Sequence, residues 1–254
     1  MNAISAFDEG VSEVKILLAL SERPDADLVA STETSDASFD GSAPASESIF
    51  ASRGALQSEQ DNAVRRASVV LLVSHFESYL KSTAEEFIDA LSTGQLEAGR
   101  IPVGIRELHT MPKIEEIAST GDSVQRHVLL KKLSTISQLW TDASKPARGT
   151  LDARLFGRQV TSARPDKIDS LFTLMGSTYR VCDGDIDIPN GDGDMTTSNI
   201  RLSLNDVVKC RNDIAHGDSS RKPTATDVAR YIDFLTSLAS RLERLAQGLT
   251  SAYD

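Results

Sequence analysis

Residues 69–80, VVLLVSHFESYL, lie at the centre of the longest amphipathic pattern in the chain. From Glu59 to Leu91, apolar side chains recur every three or four residues, the spacing that places them on one face of an α-helix. They are Val70, Val73, Phe76, Leu80, Ala84, Phe87 and Leu91, and Gly94 is placed to end the helix. Such a wide stripe is typical of a central helix, so residues 59–91 are predicted to form a core helix.

Residues 203–247 predict two further core helices. Ser203, with Asp206 three residues later, and Thr224, with Asp227 three residues later, are typical helix N-caps. The last helix carries a nearly heptad apolar seam, which would pack against another helix of the same chain or of a second copy. The seam consists of Val228, Tyr231, Ile232, Leu235, Leu238, Leu242, Leu245 and Leu249.

The rest of the chain predicts shorter helices and irregular segments. Amphipathic patterns predict four further helices, at about residues 8–21, 123–140, 150–157 and 166–175. The segment 22–58 is rich in Ser, Ala and Asp and predicts a long flexible loop. Pro and Gly residues predict that 99–122 is irregular or made of short pieces, and acidic and Gly residues predict a turn at 183–194. Because no strand pattern is sustained, the predicted fold class is all-α, a helical bundle in a single domain over residues 1–254.

The composition is that of an ordinary globular protein, with 254 residues, 40% of them hydrophobic and 25% charged. The N-terminus has no basic leader, and no apolar run approaches the roughly 18 residues of a membrane span. Cys182 and Cys210 are too far apart for a Cys-x-x-Cys pair. We therefore predict a cytoplasmic protein with reduced thiols, no metal site, no cofactor and no membrane contact.

The charge of the chain is unevenly distributed. The formal net charge is −10, which argues against sequence-blind binding of nucleic acid. Residues 126–167, however, contain nine Lys and Arg residues and three Asp residues, a net charge of +6 that leaves −16 for the rest. This basic segment could guide a nucleic-acid substrate, bind an acidic partner or simply be a solvated surface.

The stretch RNDIAH, residues 211–216, precedes Gly217 and places a guanidinium, an amide and an imidazole near a predicted helix end. Arg211 and His216 are the types of group that cut a phosphodiester without a metal, because Arg binds phosphate and His transfers protons near neutral pH. Asn212 and His216 share one helix face, whereas Arg211 and His216 would lie about 140° apart. Either the helix distorts before Gly217, or two copies of the chain complete one site.

A structural role would also explain these residues. Arg and His side chains in a last turn favour the negative end of a helix, and Asn212 and Asp213 can form local hydrogen bonds there. Glu77 lies beside the apolar stripe of the core helix, where it could pair with Arg211 or reach solvent.

The Arg211-Asn212-x-x-x-His216 motif, at the end of the penultimate helix and before a long final helix, resembles the signature of the HEPN superfamily. Together with residues 69–80 and the Ala215-His216-Gly217 sequence, it is most similar to the stand-alone bacterial RiboL-PSP-HEPN branch. The resemblance covers the predicted core helices, at residues 59–91 and 203–247.

The resemblance implies a helical bundle that is usually dimeric, with the motifs of two protomers facing each other. It further implies a metal-independent endoribonuclease of a toxin–antitoxin, abortive-infection or antiviral system. His216 would transfer a proton, Arg211 would stabilise the scissile phosphate, and Asn212 would orient the phosphate or the imidazole. Glu77 and Asp213 are candidate supporting residues. RNA would be the substrate, and an antitoxin or another defence protein would be a partner.

Two other classes of function remain open on the sequence. The helical fold could bind RNA or a nucleotide without cleaving it, or could serve as the protein partner of a toxin or defence system. The intact Arg211, Asn212 and His216 set favours the enzyme, whereas the acidic net charge favours the protein-binding role. A purely structural helical dimer is a further alternative.

Overall fold

The computed structural model describes residues 2–20, 45–189 and 194–253, with side chains from residue 56 onward in the second range. These residues form eight α-helices and one antiparallel hairpin. In chain order the elements are α1 (Ala3–Leu20), α2 (Ala45–Leu91), α3 (Val103–Ser119), α4 (Ser123–Ser137), α5 (Ala153–Gly157), α6 (Pro165–Leu174), β1 (Asp185–Pro189), β2 (Met195–Asn199), α7 (Ile200–Ala215) and α8 (Ala225–Ser251). The predicted all-α class is confirmed, with the hairpin as a small addition.

The other helices are arranged around α2, which contacts α1, α5, α7 and α8. The apolar stripe predicted from the sequence is buried, apart from the half-buried Val70. Between α1 and α2, the rings of Phe7, Phe76 and Tyr79 form a cluster with centroid distances of 5.7, 5.6 and 5.9 Å. The Tyr79 hydroxyl also donates to the carbonyl of Ala239 in α8 at 2.9 Å, so this residue joins three helices.

The apolar seam of α8 is buried inside the chain, against α1, α2 and β1, apart from the half-buried Leu245 and Leu249. Of the two partners that the sequence left open for this seam, the structure therefore shows helices of the same chain. The predicted N-cap at Thr224 is confirmed. Its hydroxyl accepts the N–H of Asp227 at 3.1 Å, and the Asp227 carboxylate accepts the N–H of Thr224 at 3.0 Å.

The start of α7 differs from the prediction, because Asn199 and not Ser203 is the N-cap. The Asn199 side-chain oxygen accepts the N–H of Leu202 at 3.1 Å. Strand β2 leads directly into α7, so the chain is still extended at Asn199, with φ −72° and ψ 121°, and becomes helical immediately afterwards. Ser203 lies in the first turn, where its hydroxyl is 2.6 Å from that of Ser198.

The prediction of irregular structure at residues 99–122 was wrong, because most of this segment forms α3. Pro102 precedes the first turn, and Pro112 lies inside the helix on its exposed side. Pro112 leaves the carbonyl of Leu108 without its helical donor, and the helix nevertheless continues to Ser119. α3 packs against α4, which has no buried residue, and the Trp140 indole N–H donates to Thr110 at 2.9 Å at the base of this helical pair.

Two segments predicted as loops contain regular structure. In the predicted loop at 22–58, residues 45–58 are helical, because Ala, Glu and Gln favour a helix even without an apolar stripe. Residues 22–44 of that loop lie outside the described residues. The predicted turn at 183–194 contains β1, in which Ile186 and Ile188 alternate with aspartates as in a half-buried strand; residues 190–193 lie outside the described residues.

The shorter helices α1, α4, α5 and α6 lie close to their predicted positions, with α1 beginning earlier, at Ala3. Asp122 and Asp152 cap α4 and α5, accepting N–H groups of the first turn at 2.7 and 2.9 Å. Pro165 is the first residue of α6, where its missing N–H breaks no helical hydrogen bond. None of the described helices combines the length and the apolar composition needed to cross a bilayer.

Gly10 and Gly248 are helical glycines in contrasting surroundings. A Cβ at Gly10 would lie 2.5 Å from Cγ of the His75 ring, whereas nothing lies within 4 Å of a Cβ at Gly248. Alanine stabilises a helix interior by about 0.5–1 kcal/mol relative to glycine. We expect Gly248→Ala to raise the free energy of unfolding by about that amount. Gly10→Ala should lower it by about 1–3 kcal/mol, because α1 and α2 must separate locally.

Urea unfolding of the two variants, followed by circular dichroism, measures both effects. Equal stabilisation by the two substitutions would contradict the close approach of His75 to Gly10.

Candidate active site

The RNDIAH stretch forms the last turn of α7 and the residue that ends it. Gly217 adopts a φ of +84°. The N–H groups of Gly217 and Asp218 bond back to the carbonyls of Ile214 and Asp213, at 3.0 and 2.9 Å. These two bonds are those of a Schellman motif, in which a left-handed glycine ends the helix. The end of α7 is therefore fixed by backbone geometry.

α7 is regular up to this end. The N–H of His216 donates to the carbonyl of Asn212 at 2.9 Å, so helical bonding includes His216. Five residues at about 100° each place the side chains of Arg211 and His216 about 140° apart around the helix. The distortion before Gly217, which was one way to bring them together, is absent from the described helix. No hydrogen bond joins the two side chains in the described part of the chain.

The guanidinium of Arg211 is held between α7 and α2. Its Nη2 lies 3.5 Å from Oε2 of Glu77, and its Nη1 donates to Oδ1 of Asn212 at 3.1 Å. Its Nε is buried and has no hydrogen-bond partner among the described residues. The side chain as a whole is 31% exposed, so an anionic ligand can reach the part of it that is not buried.

Glu77 connects three parts of the molecule. Of the two alternatives that the sequence left open for Glu77, the structure shows the contact with Arg211, and the Glu77 side chain is only 24% exposed. Its second oxygen, Oε1, accepts the backbone N–H of Ala163 at 3.2 Å. One carboxylate of α2 therefore contacts both the motif helix and the segment that precedes α6.

His216 is exposed at the C-terminal end of α7. Within the described residues, its imidazole forms no hydrogen bond, so both ring nitrogens are open to solvent or to a ligand. Asn212 and Asp213 are half-buried. Asn212 contacts Arg211, whereas the Asp213 side chain forms no hydrogen bond or ion pair in the same set of residues. The structure therefore groups Glu77, Arg211 and Asn212, and places His216 apart from them.

Two consecutive arginines of α2, which the sequence did not single out, hold the loop after the motif. Nη1 of Arg66 donates to the carbonyls of Asp218 and Arg221 at 2.6 and 2.8 Å, and Nε of Arg65 donates to that of Pro223 at 3.1 Å. These bonds fix the path of the loop that follows His216. They join residues 152 to 158 positions apart, so no local sequence pattern could predict them.

The same loop is held from its other side by Asp206 of α7. Its carboxylate accepts hydrogen bonds from the Tyr231 hydroxyl at 2.9 Å and from Arg221 at 3.3 Å. Burial raises the pKa of the Tyr231 phenol, which stays protonated and can donate. Within the loop, hydrogen bonds from Ser220 lower the pKa of Asp218, which is therefore anionic at neutral pH.

The helices α2, α7 and α8, which hold the candidate site, lie in a region that matches a known family. The RiboL-PSP-HEPN family model matches residues 46–247. The chain belongs to the RiboL-PSP-HEPN family. HEPN domains are commonly ribonucleases and typically bind RNA. Comparisons of this RiboL-PSP-HEPN chain with curated proteins and with solved structures find no match.

The match includes the whole of α7 and therefore every residue of the motif. Within the described residues of this RiboL-PSP-HEPN chain, no group of three or more His, Cys, Asp or Glu side chains is placed to hold a metal ion. The polar groups of the candidate site are instead the Arg211 guanidinium, the Asn212 amide and the His216 imidazole.

Gly217 provides a test of the helix end in this RiboL-PSP-HEPN chain. Nothing lies within 4 Å of a Cβ at this position, so a substitution changes backbone strain and not packing. We expect Gly217→Ala to lower the free energy of unfolding by about 1–2 kcal/mol, because an L-residue is strained in the left-handed region. Gly217→Asn should cost less, since Asn tolerates that region. Thermal and urea unfolding measure the difference, and an alanine variant as stable as the wild type would contradict this account.

Proposed function

We propose that this chain is a metal-independent endoribonuclease in which Arg211, Asn212 and His216 are the catalytic residues. The observation that carries the proposal is the environment of Arg211. Its guanidinium is oriented by Glu77 and Asn212, and the side chain is 31% exposed, so part of it can bind a ligand. A guanidinium binds phosphate oxygens strongly, through charge-assisted hydrogen bonds. The exposed imidazole of His216, on the same helix, supplies the group for proton transfer.

In the proposed reaction, the ribose 2′-hydroxyl attacks the adjacent phosphorus, and the bond from phosphorus to the 5′-oxygen of the next nucleotide breaks. His216 takes the proton of the 2′-hydroxyl or protonates the leaving 5′-oxygen. Arg211 stabilises the charge that develops on the non-bridging phosphate oxygens, and Asn212 orients the phosphate or the imidazole. The products carry a 2′,3′-cyclic phosphate and a 5′-hydroxyl. DNA lacks the attacking hydroxyl and is not a substrate.

Glu77 acts in this proposal as a positioning residue. It does not touch the substrate but holds the Arg211 guanidinium in one orientation from the side of α2. Asp213 would contribute at the edge of the site, where its side chain is half-buried. Positioning of this kind increases the rate because the cation needs no rearrangement when charge develops on the phosphate.

We further propose that two copies of the chain complete each site. On the regular helix α7, Arg211 and His216 of one copy diverge by about 140°. In a two-fold symmetric dimer, His216 of one protomer can face Arg211 of its partner, which gives two equivalent composite sites. The α8 seam is buried within the chain, so the interface uses another surface.

The cellular role that we propose is that of a growth-arresting toxin or an antiviral effector. It rests on the RiboL-PSP-HEPN family and on the intact motif. An antitoxin or another protein of the same defence system would then control the activity.

Incubation of labelled RNA with the purified protein in EDTA tests the reaction. We expect cleavage by the wild type and products that end in a 2′,3′-cyclic phosphate, identified by mass spectrometry. His216→Ala should reduce the rate by about 10²–10⁴ and Arg211→Ala by about 10²–10³, because each removes one catalytic group. Arg244→Ala is the matched control, since it removes an exposed arginine of α8 outside the motif.

Cleavage that survives both motif substitutions, or a wild type that cleaves no RNA, would overturn the proposal. The same variants report on the cellular role when they are expressed in cells without a partner gene. The wild type should arrest growth and His216→Ala should not, and equal growth of the two strains would contradict a toxin.

Dimers that contain one His216→Ala and one Arg211→Ala protomer test the composite site. When such dimers are purified through two different tags, one site carries both substitutions and the other carries neither. About half of the wild-type activity should therefore be present, although each variant alone is inactive. Inactive mixed dimers would contradict a shared site, as would a monomer in light scattering at micromolar concentration.

A further inference from the structure

Most of the positive charge of residues 126–167 is not neutralised by neighbouring carboxylates. Of the three acidic residues of this segment, Asp166 contacts Arg164 at 3.5 Å, whereas Asp152 caps α5 and Asp142 contacts Arg106 at 3.6 Å. Of the nine cations, Arg164 alone lies within 4.0 Å of a carboxylate in the described part of the chain. Eight cations thus face solvent or backbone groups without a counter-ion.

α4 presents much of this charge on an exposed surface. It carries Arg126, Lys131 and Lys132, contains no acidic residue, and has no buried residue. Lys132 also lines a groove of about 560 Å³ between α3, α4 and α5, with Arg158 among the lining residues. The groove is lined by apolar side chains and by both cations and carboxylates, and the carboxylates are Glu116 and Asp152. The Glu116 carboxylate is paired with a lysine of α3, Lys113, at 3.6 Å.

The segment 157–163 leads from this groove towards Arg211 along α2. At one end of this segment, Gly157 lies against the Glu85 carboxylate, where a Cβ would be 2.5 Å from Oε1. At the other end, the N–H of Ala163 bonds to Glu77, the partner of Arg211. Glu85 and Glu77 are eight residues apart in α2, which is about 12 Å along the helix axis. Arg158 is the one cation of this segment and lies at its groove end, where it lines the groove.

We infer that Lys131, Lys132 and Arg158 bind the phosphates of the RNA strand that is cut at Arg211 and His216. The inference rests on the proposed endoribonuclease activity and adds the path of its substrate. Binding of RNA to proteins gains most of its affinity from phosphate neutralisation. In a chain with a net charge of −10, a strand is repelled from most of the surface and is held where unpaired cations cluster. The strand would extend from the motif along α2 to the surface of α4.

Measurement of RNA affinity as a function of salt concentration tests this path. The background is His216→Ala, which prevents cleavage during the measurement. The test variant carries Lys131→Gln, Lys132→Gln and Arg158→Gln. The matched control carries Lys15→Gln, Arg180→Gln and Arg244→Gln, which remove the same charge from three exposed positions outside the segment. Circular dichroism verifies that both variants keep their helices.

For single-stranded RNA, we expect the slope of log K, the association constant, against log salt concentration to become shallower by about 2 in the test variant. Each of the three lost phosphate contacts contributes about 0.7 to this slope. The Kd of the test variant should rise by about 10- to 100-fold at about 0.1 M salt, whereas the control should match the parent. In the presence of an active motif, the three substitutions should raise KM for a long RNA and leave kcat unchanged.

Unchanged affinity and slope in the test variant would overturn the inference. Loss of binding to a polyaspartate peptide, with RNA binding intact, would also overturn it and would identify an acidic protein as the partner. If His216→Ala still abolishes cleavage in either case, the proposed function stands and only the substrate path is wrong. If the wild type neither binds nor cleaves RNA, the proposed function itself fails.

Discussion

Burial of the apolar face of α2 is the constraint on which the other elements depend, because α1, α5, α7 and α8 all pack against this helix. Each large side chain buried on that face contributes roughly 1.5–3 kcal/mol to the hydrophobic stabilisation. The same packing places polar groups at fixed positions on the edge of the stripe. Glu77 follows the fully buried Phe76, about 100° further around the helix, so its carboxylate lies where α2 meets α7. The core therefore determines the position of the first charge of the site.

Arg66 and Glu77 of α2 hold the chain on the two sides of His216. They are eleven residues apart, about 16 Å along α2. Glu77 contacts Arg211 inside the motif, and Arg66 bonds to the carbonyls of the loop that follows His216. The end of α7 between these two contacts is closed by the Gly217 turn. The candidate site is thus held by the core helix on both sides of His216, although His216 itself is exposed. Because the backbone at the end of α7 is fixed and the His216 imidazole is exposed, this imidazole is suited to transfer a proton to a bound substrate.

Features with a local signal could be predicted from the sequence, and features made by distant contacts could not. The stripe of α2, the capping box at Thr224 and the Arg211 motif each lie within a few turns of chain, and Glu77 was identified because a carboxylate beside an apolar stripe needs a partner. β1 was missed although Ile186 and Ile188 alternate with aspartates, because the abundance of Asp and Gly suggested a turn. α3 was not predicted because it contains Pro112, and proline usually ends a helix although an exposed position can tolerate it. The bonds from Arg66 to the loop had no local signal.

The proposal of a site shared by two copies depends on whether Arg211 or His216 can move towards the other within one copy. Arg211 is half-buried, and turning it towards His216 would remove its contacts with Glu77 and Asn212 and leave a partly buried carboxylate without its cation. Losing these contacts is unfavourable, because Glu77 is only 24% exposed and water replaces the lost cation incompletely. Moving His216 towards Arg211 would require α7 to unwind through the backbone bonds at Asn212 and Gly217. The proposed dimer requires neither change, because the partner's imidazole would approach the exposed part of Arg211 while both helices stay intact. The energetic difference between these routes is the reason that we favour a dimeric enzyme over a rearranged monomer.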